Sequence, residues 1–322
     1  MSRRSPRTGG FVSAQARAEF DAAYDRGLRA LPAPAGTWDV PTGFGTARVY
    51  RFGSGSNSGT DTGAPLLLLP GRAGTVVMWE PNLRALAARR PVYALDVIGE
   101  PGRSEQTAPI RDGTEHAAWL VDVLSELDLP PVHLVGYSFG GWLAANLAVN
   151  LAAGLPTRSD ARLASLTLLD PVQTFARFPA ALIARSALTV VPGIRGRARE
   201  SFLRWMSGGA ESASAEADDP VVRVIDEGMR TYRIALPTPT LPPDARLRAI
   251  DVPVLALLAG RSVIHDARRA AERARRLLPA AEVEVWPAAT HAIAGEFPDA
   301  VSTRILDFVE RVEKPENPEQ TP

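Results

Sequence analysis

A serine between two glycines, four histidines and no cysteine set the chemistry available to this chain of 322 residues. Without cysteine there is no disulfide, no thiolate nucleophile, no Cys-ligated zinc and no iron–sulfur cluster. The serine is Ser138. The strand-like run Val132-His133-Leu134-Val135 leads into Gly136-Tyr137-Ser138-Phe139-Gly140, and an apolar helical pattern (Leu143, Ala144, Leu147, Ala148, Leu151) follows at once. A hydroxyl at the tip of such a strand–helix turn is presented for attack, and the helix N-terminus behind it favours developing negative charge. The turn requires small neighbours, which Gly136 and Gly140 supply.

A serine hydroxyl attacks poorly until a base takes its proton, and imidazole suits that role near neutral pH. His133 lies within a strand and His116 on the apolar stripe of a helix, so both read as packed structural residues. His265 follows Val263-Ile264 on a loop edge, and His291 stands between the last strand and the final helix.

The elements that must position these groups alternate along the chain. Val49–Phe52, Leu66–Leu69, Val92–Asp96, Val132–Val135, Leu163–Leu169, Val254–Leu258 and Val283–Trp286 read as strands. Several are apolar at nearly every position, which suits a parallel sheet covered on both faces. Asp112–Leu127 and Pro298–Val312 carry helical apolar stripes, and Ala14–Leu31 reads as a helix ahead of the sheet. The expected fold is α/β, a doubly wound, mostly parallel sheet. Val172 to Arg248 breaks the rhythm with apolar helical stretches, Gly208-Gly209 and prolines from Pro237 to Pro243, and is read as a helical insert packed over one edge of the sheet. Ser54–Gly63 reads as a surface loop at a hairpin tip, and Lys314–Pro322 as a disordered tail.

The chain resembles the α/β-hydrolase fold family from about residue 37 to residue 312. Besides the turn at Ser138, Leu66-Leu67-Leu68-Leu69-Pro70-Gly71-Arg72-Ala73-Gly74 resembles the family's strand and oxyanion loop. Asp96-Val97-Ile98-Gly99-Glu100-Pro101-Gly102-Arg103-Ser104 resembles its D-x-x-G-x-G-x-S turn, and Pro287-Ala288-Ala289-Thr290-His291 the loop that carries its base. The resemblance implies Ser138 as nucleophile, His291 as base, and the backbone amides of Arg72 and Phe139 as oxyanion hole. It also implies domain bounds: an N-terminal helical extension over 1–36, a core of 37–171 and 249–312, a cap over 172–248 after the family's sixth strand, and the tail 313–322.

The acid departs from the common pattern. After Val254–Leu258 the loop reads Ala259-Gly260-Arg261-Ser262-Val263-Ile264-His265-Asp266, with Ser262 where relatives carry a carboxylate. Some relatives take the acid from the end of the preceding strand, which here is Asp170 in Leu169-Asp170-Pro171. Asp170 is preferred; Asp266, or a pair oriented by Ser262, a carbonyl or water, stays open. Relatives usually have His-Gly where this chain has Pro70-Gly71. Arg72's side chain is read as facing solvent, with a turn into the pocket as the alternative.

Composition narrows the rest. A balance of 36 basic and 36 acidic residues lacks the cationic surface of a nucleic-acid binder. No stretch approaches the roughly 20 apolar residues of a membrane span, and no apolar segment of a secretory signal follows the N-terminal arginines. A soluble, cytoplasmic protein is expected, with homo-oligomerisation left open. No cofactor or metal is implied, for the phosphate-loop lysine and G-x-G-x-x-G spacing are both missing. The function expected from the resemblance is a serine hydrolase that cleaves an ester or similar acyl bond of a small, apolar molecule. Phe175, Phe178, Phe202, Trp205, Met206 and Tyr232 would line the acyl pocket or form the insert's own core. C–C bond hydrolysis, cofactor-free haloperoxidase chemistry and a non-catalytic ligand-binding role are the alternatives on the same frame.

Overall fold

The four leucines of Leu66–Leu69 are fully buried, and successive side chains enter opposite cores. Leu67 and Leu69 join one apolar cluster and Leu66 and Leu68 the other. That alternation follows from the two-residue period of a strand. It explains why the strands are continuously apolar: each side of the sheet is roofed by helices. Each leucine so enclosed contributes about 1.5–3 kcal/mol.

The computed structural model describes residues 7–53, 63–155, 162–189, 191, 193–206 and 219–314. The loop read within Ser54–Gly63, Gly208-Gly209 and the tail after Lys314 lie outside the described residues, save Gly63. In chain order the strands are β1 (Gly10–Phe11), β2 (Gly36–Thr42), β3 (Gly45–Phe52), β4 (Leu66–Leu69), β5 (Val92–Leu95), β6 (Glu105–Gln106), β7 (Val132–Tyr137), β8 (Leu163–Leu169), β9 (Tyr232–Arg233), β10 (Val254–Ala259) and β11 (Glu282–Trp286). The main sheet runs β11-β10-β8-β7-β4-β5-β3-β2, with β6 paired to β3. Pairs from β5 through β4, β7, β8 and β10 to β11 are parallel, while β2, β3 and β6 add antiparallel pairings.

Strand β2 was not read from the sequence. Gly36, Pro41 and its exposed residues argue against a central strand, but at the sheet's edge a proline costs no ladder partner. Residues 1–36 also contribute a strand, because Gly10–Phe11 pairs with Tyr232–Arg233.

The principal helices are α1 (Ala14–Ala30), α2 (Glu80–Ala87), α3 (Gly113–Glu126), α4 (Phe139–Ala152), α5 (Ala180–Leu188), α6 (Arg195–Met206), α7 (Pro220–Thr231), α8 (Asp244–Arg248), α9 (Ala267–Leu277), α10 (Ile293–Glu296) and α11 (Pro298–Glu313). Helices α3, α4 and α9 cover one face of the sheet; α1, α2 and α11 cover the other. Among the described residues no helix is long and apolar enough to cross a membrane.

Residues 172–248 hold α5 to α8 and are tied to α4 and α9. Trp142 on α4 donates to the Thr240 carbonyl at 2.9 Å, and Arg273 on α9 donates to the Thr174 and Pro242 carbonyls. Phe175 is buried in the α3–α4–α9 core, with Phe178, Phe202, Trp205 and Met206 packed against it. Tyr232 goes elsewhere, edge-on to Phe11 at 5.0 Å. Helix α7 packs on α1, where a Cβ on Gly27 would come within 3.2 Å of Val224.

Candidate active site

Strand β7 ends at Tyr137, and Ser138 turns the chain into α4 with φ +55° and ψ −110°. A side chain rarely tolerates that backbone, so the surroundings must hold it. They do so through three backbone bonds. Ser138 N donates to Leu169 O at 2.9 Å, and Trp142 N and Val172 N both donate to Ser138 O. The strand and helix close so tightly that a Cβ on Gly136 would lie 2.2 Å from Gly140 O.

The bond to Leu169 puts the end of β8 beside Ser138, and Asp170 follows with φ +40°. Its carboxylate is fully buried and surrounded by donors. Oδ1 accepts from Ala259 N at 3.0 Å; Oδ2 accepts from Ser262 Oγ at 2.7 Å and faces His291 Nδ1 at 2.6 Å. His265 Nε2 lies 3.0 Å from Oδ1, aligned outside hydrogen-bond geometry. Burial pushes the Asp170 carboxyl up, but His265 and His291 outweigh it and hold the group well below the usual carboxylate range. The group is therefore ionised and accepts only, so His291 Nδ1 carries the proton and Nε2 is free to accept. That nitrogen is 2.8 Å from Ser138 Oγ.

His291 is itself seated by its loop. Tyr137 donates its hydroxyl to the His291 carbonyl. Thr290 is tied to Glu296 through its amide at 2.7 Å and its hydroxyl at 2.6 Å. The structure thus brings Ser138, His291 and Asp170 together, with Ser262 as a donor to the carboxylate. Asp266 is not among them. It caps α9, accepting from Arg269 N at 3.1 Å, with its side chain exposed.

The other two histidines are packed. His116 is fully buried, edge-on to Phe139 at 6.1 Å and to Trp142 at 5.4 Å. Burial lowers its pKa to about 4, against the opposing pull of the Asp112 carbonyl. His133 bonds Ser165 Oγ at 2.8 Å and reaches Glu313 at 3.1 Å.

The loop after β4 passes beside the serine. A Cβ on Gly71 would sit 3.2 Å from that of Ser138. Among the described residues neither the Arg72 nor the Phe139 amide donates to a protein acceptor. The Arg72 side chain is exposed, as its solvent-facing reading expects, but its guanidinium is not without partners. It lies 4.2 Å over the Phe139 ring, with Nη1 2.9 Å from Glu100 Oε1. Glu100 Oε2 accepts from Ala73 N at 2.9 Å, at a residue with φ +56°. Burial raises the Glu100 carboxyl, outweighing the Arg72 charge and the Ala73 bond. Asp96 laces the same region, accepting from Val76 N, Arg103 N and the Tyr24 hydroxyl.

A model of the alpha/beta hydrolase family matches residues 66–304. The chain belongs to that family. Carboxylesterase YbfK of Bacillus subtilis (strain 168) is 27% identical over 303 residues, covering 93% of this chain and 96% of the relative. The carboxylesterase nap of the same organism is 28% identical over 298 residues, covering 88% and 90%. Among solved structures, the naproxen esterase (carboxylesterase NP) of Bacillus subtilis superposes with a TM-score of 0.78 at 27% identity, covering 92% of this chain and 99% of that one. This member of the family is an α/β-hydrolase-fold enzyme of the carboxylesterase-like kind.

Within the family frame, the contacts of Glu100, Tyr137 and His265 had no signal in the sequence. Two residues separate Gly99 from Gly102, and the first of them is the buried Glu100. A carboxylate beside two flexible glycines reads as an exposed turn until the fold closes over it.

Proposed function

We propose that this enzyme hydrolyses esters of small, apolar molecules by acyl transfer, with Ser138 as nucleophile, His291 as general base and Asp170 as the acid. One observation carries the reading: the His291 ring stands between Ser138 Oγ at 2.8 Å and Asp170 Oδ2 at 2.6 Å.

The steps follow from those contacts. His291 Nε2 takes the Ser138 proton as Oγ attacks the ester carbonyl carbon. Asp170, held ionised, stabilises the imidazolium that results. The carbonyl oxygen becomes an oxyanion and receives hydrogen bonds from the Arg72 and Phe139 amides. The imidazolium returns its proton to the departing alkoxide. Water, deprotonated by the same histidine, then cleaves the acyl-enzyme and restores Ser138.

The division into a core (37–171 and 249–312), an N-terminal extension (1–36) and a cap (172–248) belongs to the same reading. In that reading Phe178, Phe202, Trp205 and Met206, half-buried on the cap, would offer an apolar acyl group its surface, while Phe175 belongs to the core. Labelling with a fluorophosphonate tests the reading. The folded wild type should be labelled and Ser138→Ala should not; a wild type that stays unlabelled, or a variant that is labelled, defeats it. Rates across p-nitrophenyl esters of increasing chain length then measure the acyl preference.

A further inference from the structure

Asp170 lies between two imidazoles. His291 Nδ1 is 2.6 Å from Oδ2, and His265 Nε2 is 3.0 Å from Oδ1. The proposed chemistry uses only the first. Yet His265 is buried beside the carboxylate, and among the described residues neither of its ring nitrogens has an aligned hydrogen-bond partner, so the 3.0 Å approach to Asp170 is its one polar contact. A buried polar ring with nothing to hold except Asp170 needs a reason to be there.

We infer that His265 is a positioning residue, which seats the Asp170 carboxylate against Ala259 N and Ser262 Oγ and shares its negative charge with His291. The inference rests on the reading of Ser138, His291 and Asp170 given above. Its geometry explains how an acid on β8 works without the usual one on the loop after β10. That loop supplies the acid's supports instead: Ser262 donates to one oxygen, and His265 Nε2 approaches the other at 3.0 Å. Whatever charge His265 draws from Asp170 is withheld from the His291 imidazolium. Removing His265 therefore has two effects. The carboxylate loses its seat, which slows turnover. The His291 imidazolium gains more of the carboxylate's charge, so the base holds its proton to higher pH.

The other charged and titratable groups nearby are engaged elsewhere. Asp266, next in sequence, caps α9 and pairs with Arg269. Tyr137 from β7 donates to the His291 carbonyl, and Glu296 from α10 accepts from Thr290. Arg273 from α9 is bound to Asp244 and to the Thr174 and Pro242 carbonyls.

The test uses the full chain with His265→Leu and His265→Gln, reading kcat, KM and the acid limb of kcat on p-nitrophenyl acetate, with thermal unfolding alongside. His265→Leu should lose about 10- to 100-fold in kcat, the range over which partners behind a liganding histidine act, with KM within about twofold. Its acid limb should move up by about half a pH unit or more. His265→Gln, which restores an N–H toward Asp170, should recover most of kcat. An unchanged kcat and acid limb in folded His265→Leu overturns the proposal, because a space-filling residue would alter only the unfolding temperature. If His265→Leu does not fold, His265→Met takes its place: a lowered kcat with KM within about twofold and a raised acid limb support the proposal, and an unchanged kcat and acid limb overturn it. Hydrolysis that survives in Ser138→Ala defeats the reading of the site itself, an outcome distinct from either.

Discussion

The Ser262 hydroxyl donates to Asp170 Oδ2 at 2.7 Å, so the loop after β10 serves a carboxylate that it does not carry. In the proposed mechanism the acid is Asp170, at the end of β8, one strand over from that loop. The two sites are adjacent because β8 and β10 pair in parallel, with Leu257 opposite Leu169. A donor in place of an acceptor is the expected complement once the charge sits on the neighbouring strand.

The first prediction separates the two carboxylates. Asp170→Asn should lower kcat for p-nitrophenyl acetate by about three to four orders of magnitude, because an amide facing His291 Nδ1 favours the wrong tautomer. Asp266→Asn should leave the rate unchanged, since Asn caps a helix about as well as Asp. Near-normal turnover in Asp170→Asn would remove Asp170 from the mechanism.

The second concerns the Arg72 side chain, which stands apart from its amide. Arg72→Met keeps the backbone N–H, so turnover should stay within about tenfold of wild type. It strands the buried Glu100 carboxylate, at a cost of about 1–3 kcal/mol, moderated because Arg72 is 38% exposed. Adding Glu100→Gln removes the stranded charge and should recover most of that loss. Urea unfolding of the two single variants and the double variant measures the coupling; strict additivity would show that the pair does not interact.

What the sequence made visible, and what it hid, follows from the range of each interaction. Ser138 is flanked by its own signals: an apolar strand, two glycines and an apolar helix within a few residues. The strands of the sheet's centre are legible for the same reason, since burial on both faces leaves no polar position. The supports of the site have no such local pattern. Ser262 lies 92 residues from Asp170 along the chain, and Glu100 27 residues from Ala73. Edge strand β2, with Pro41 in it, failed the test for a central strand because an edge does not impose that test.

A third prediction follows from His116, whose pKa burial lowers to about 4. In the unfolded chain the same ring takes up a proton near pH 6.5. A lowered folded pKa means that stability is full above pH 6.5 and falls as pH drops toward 4, by up to about 3 kcal/mol from this group. His116→Leu strands no acceptor, because the Asp112 carbonyl also accepts from residue 116's own amide at 3.2 Å. It also removes the buried, unpartnered Nε2. The variant's stability, followed by denaturant unfolding at pH 7, 6, 5 and 4, should therefore decline less than that of wild type. Parallel curves would show that His116 is not held neutral.

The last prediction uses the strain at the turn. Ser138 has φ +55°, where a Cβ is unwelcome and glycine is at ease. Exposed helix and strand positions normally favour Ala over Gly by about 0.5–1 kcal/mol. At position 138 the order should reverse. Ser138→Ala keeps the strained Cβ, while Ser138→Gly releases a strain of about 1–3 kcal/mol, less the greater entropy of the unfolded glycine. Both variants lose the hydroxyl and should fail to react with a fluorophosphonate. Thermal unfolding then isolates the backbone effect: Ser138→Gly should melt above Ser138→Ala. The opposite order would mean that the surrounding bonds to Leu169, Trp142 and Val172 hold the turn without strain. In the expected order, part of the fold's stability is spent on presenting the hydroxyl that the proposed attack uses.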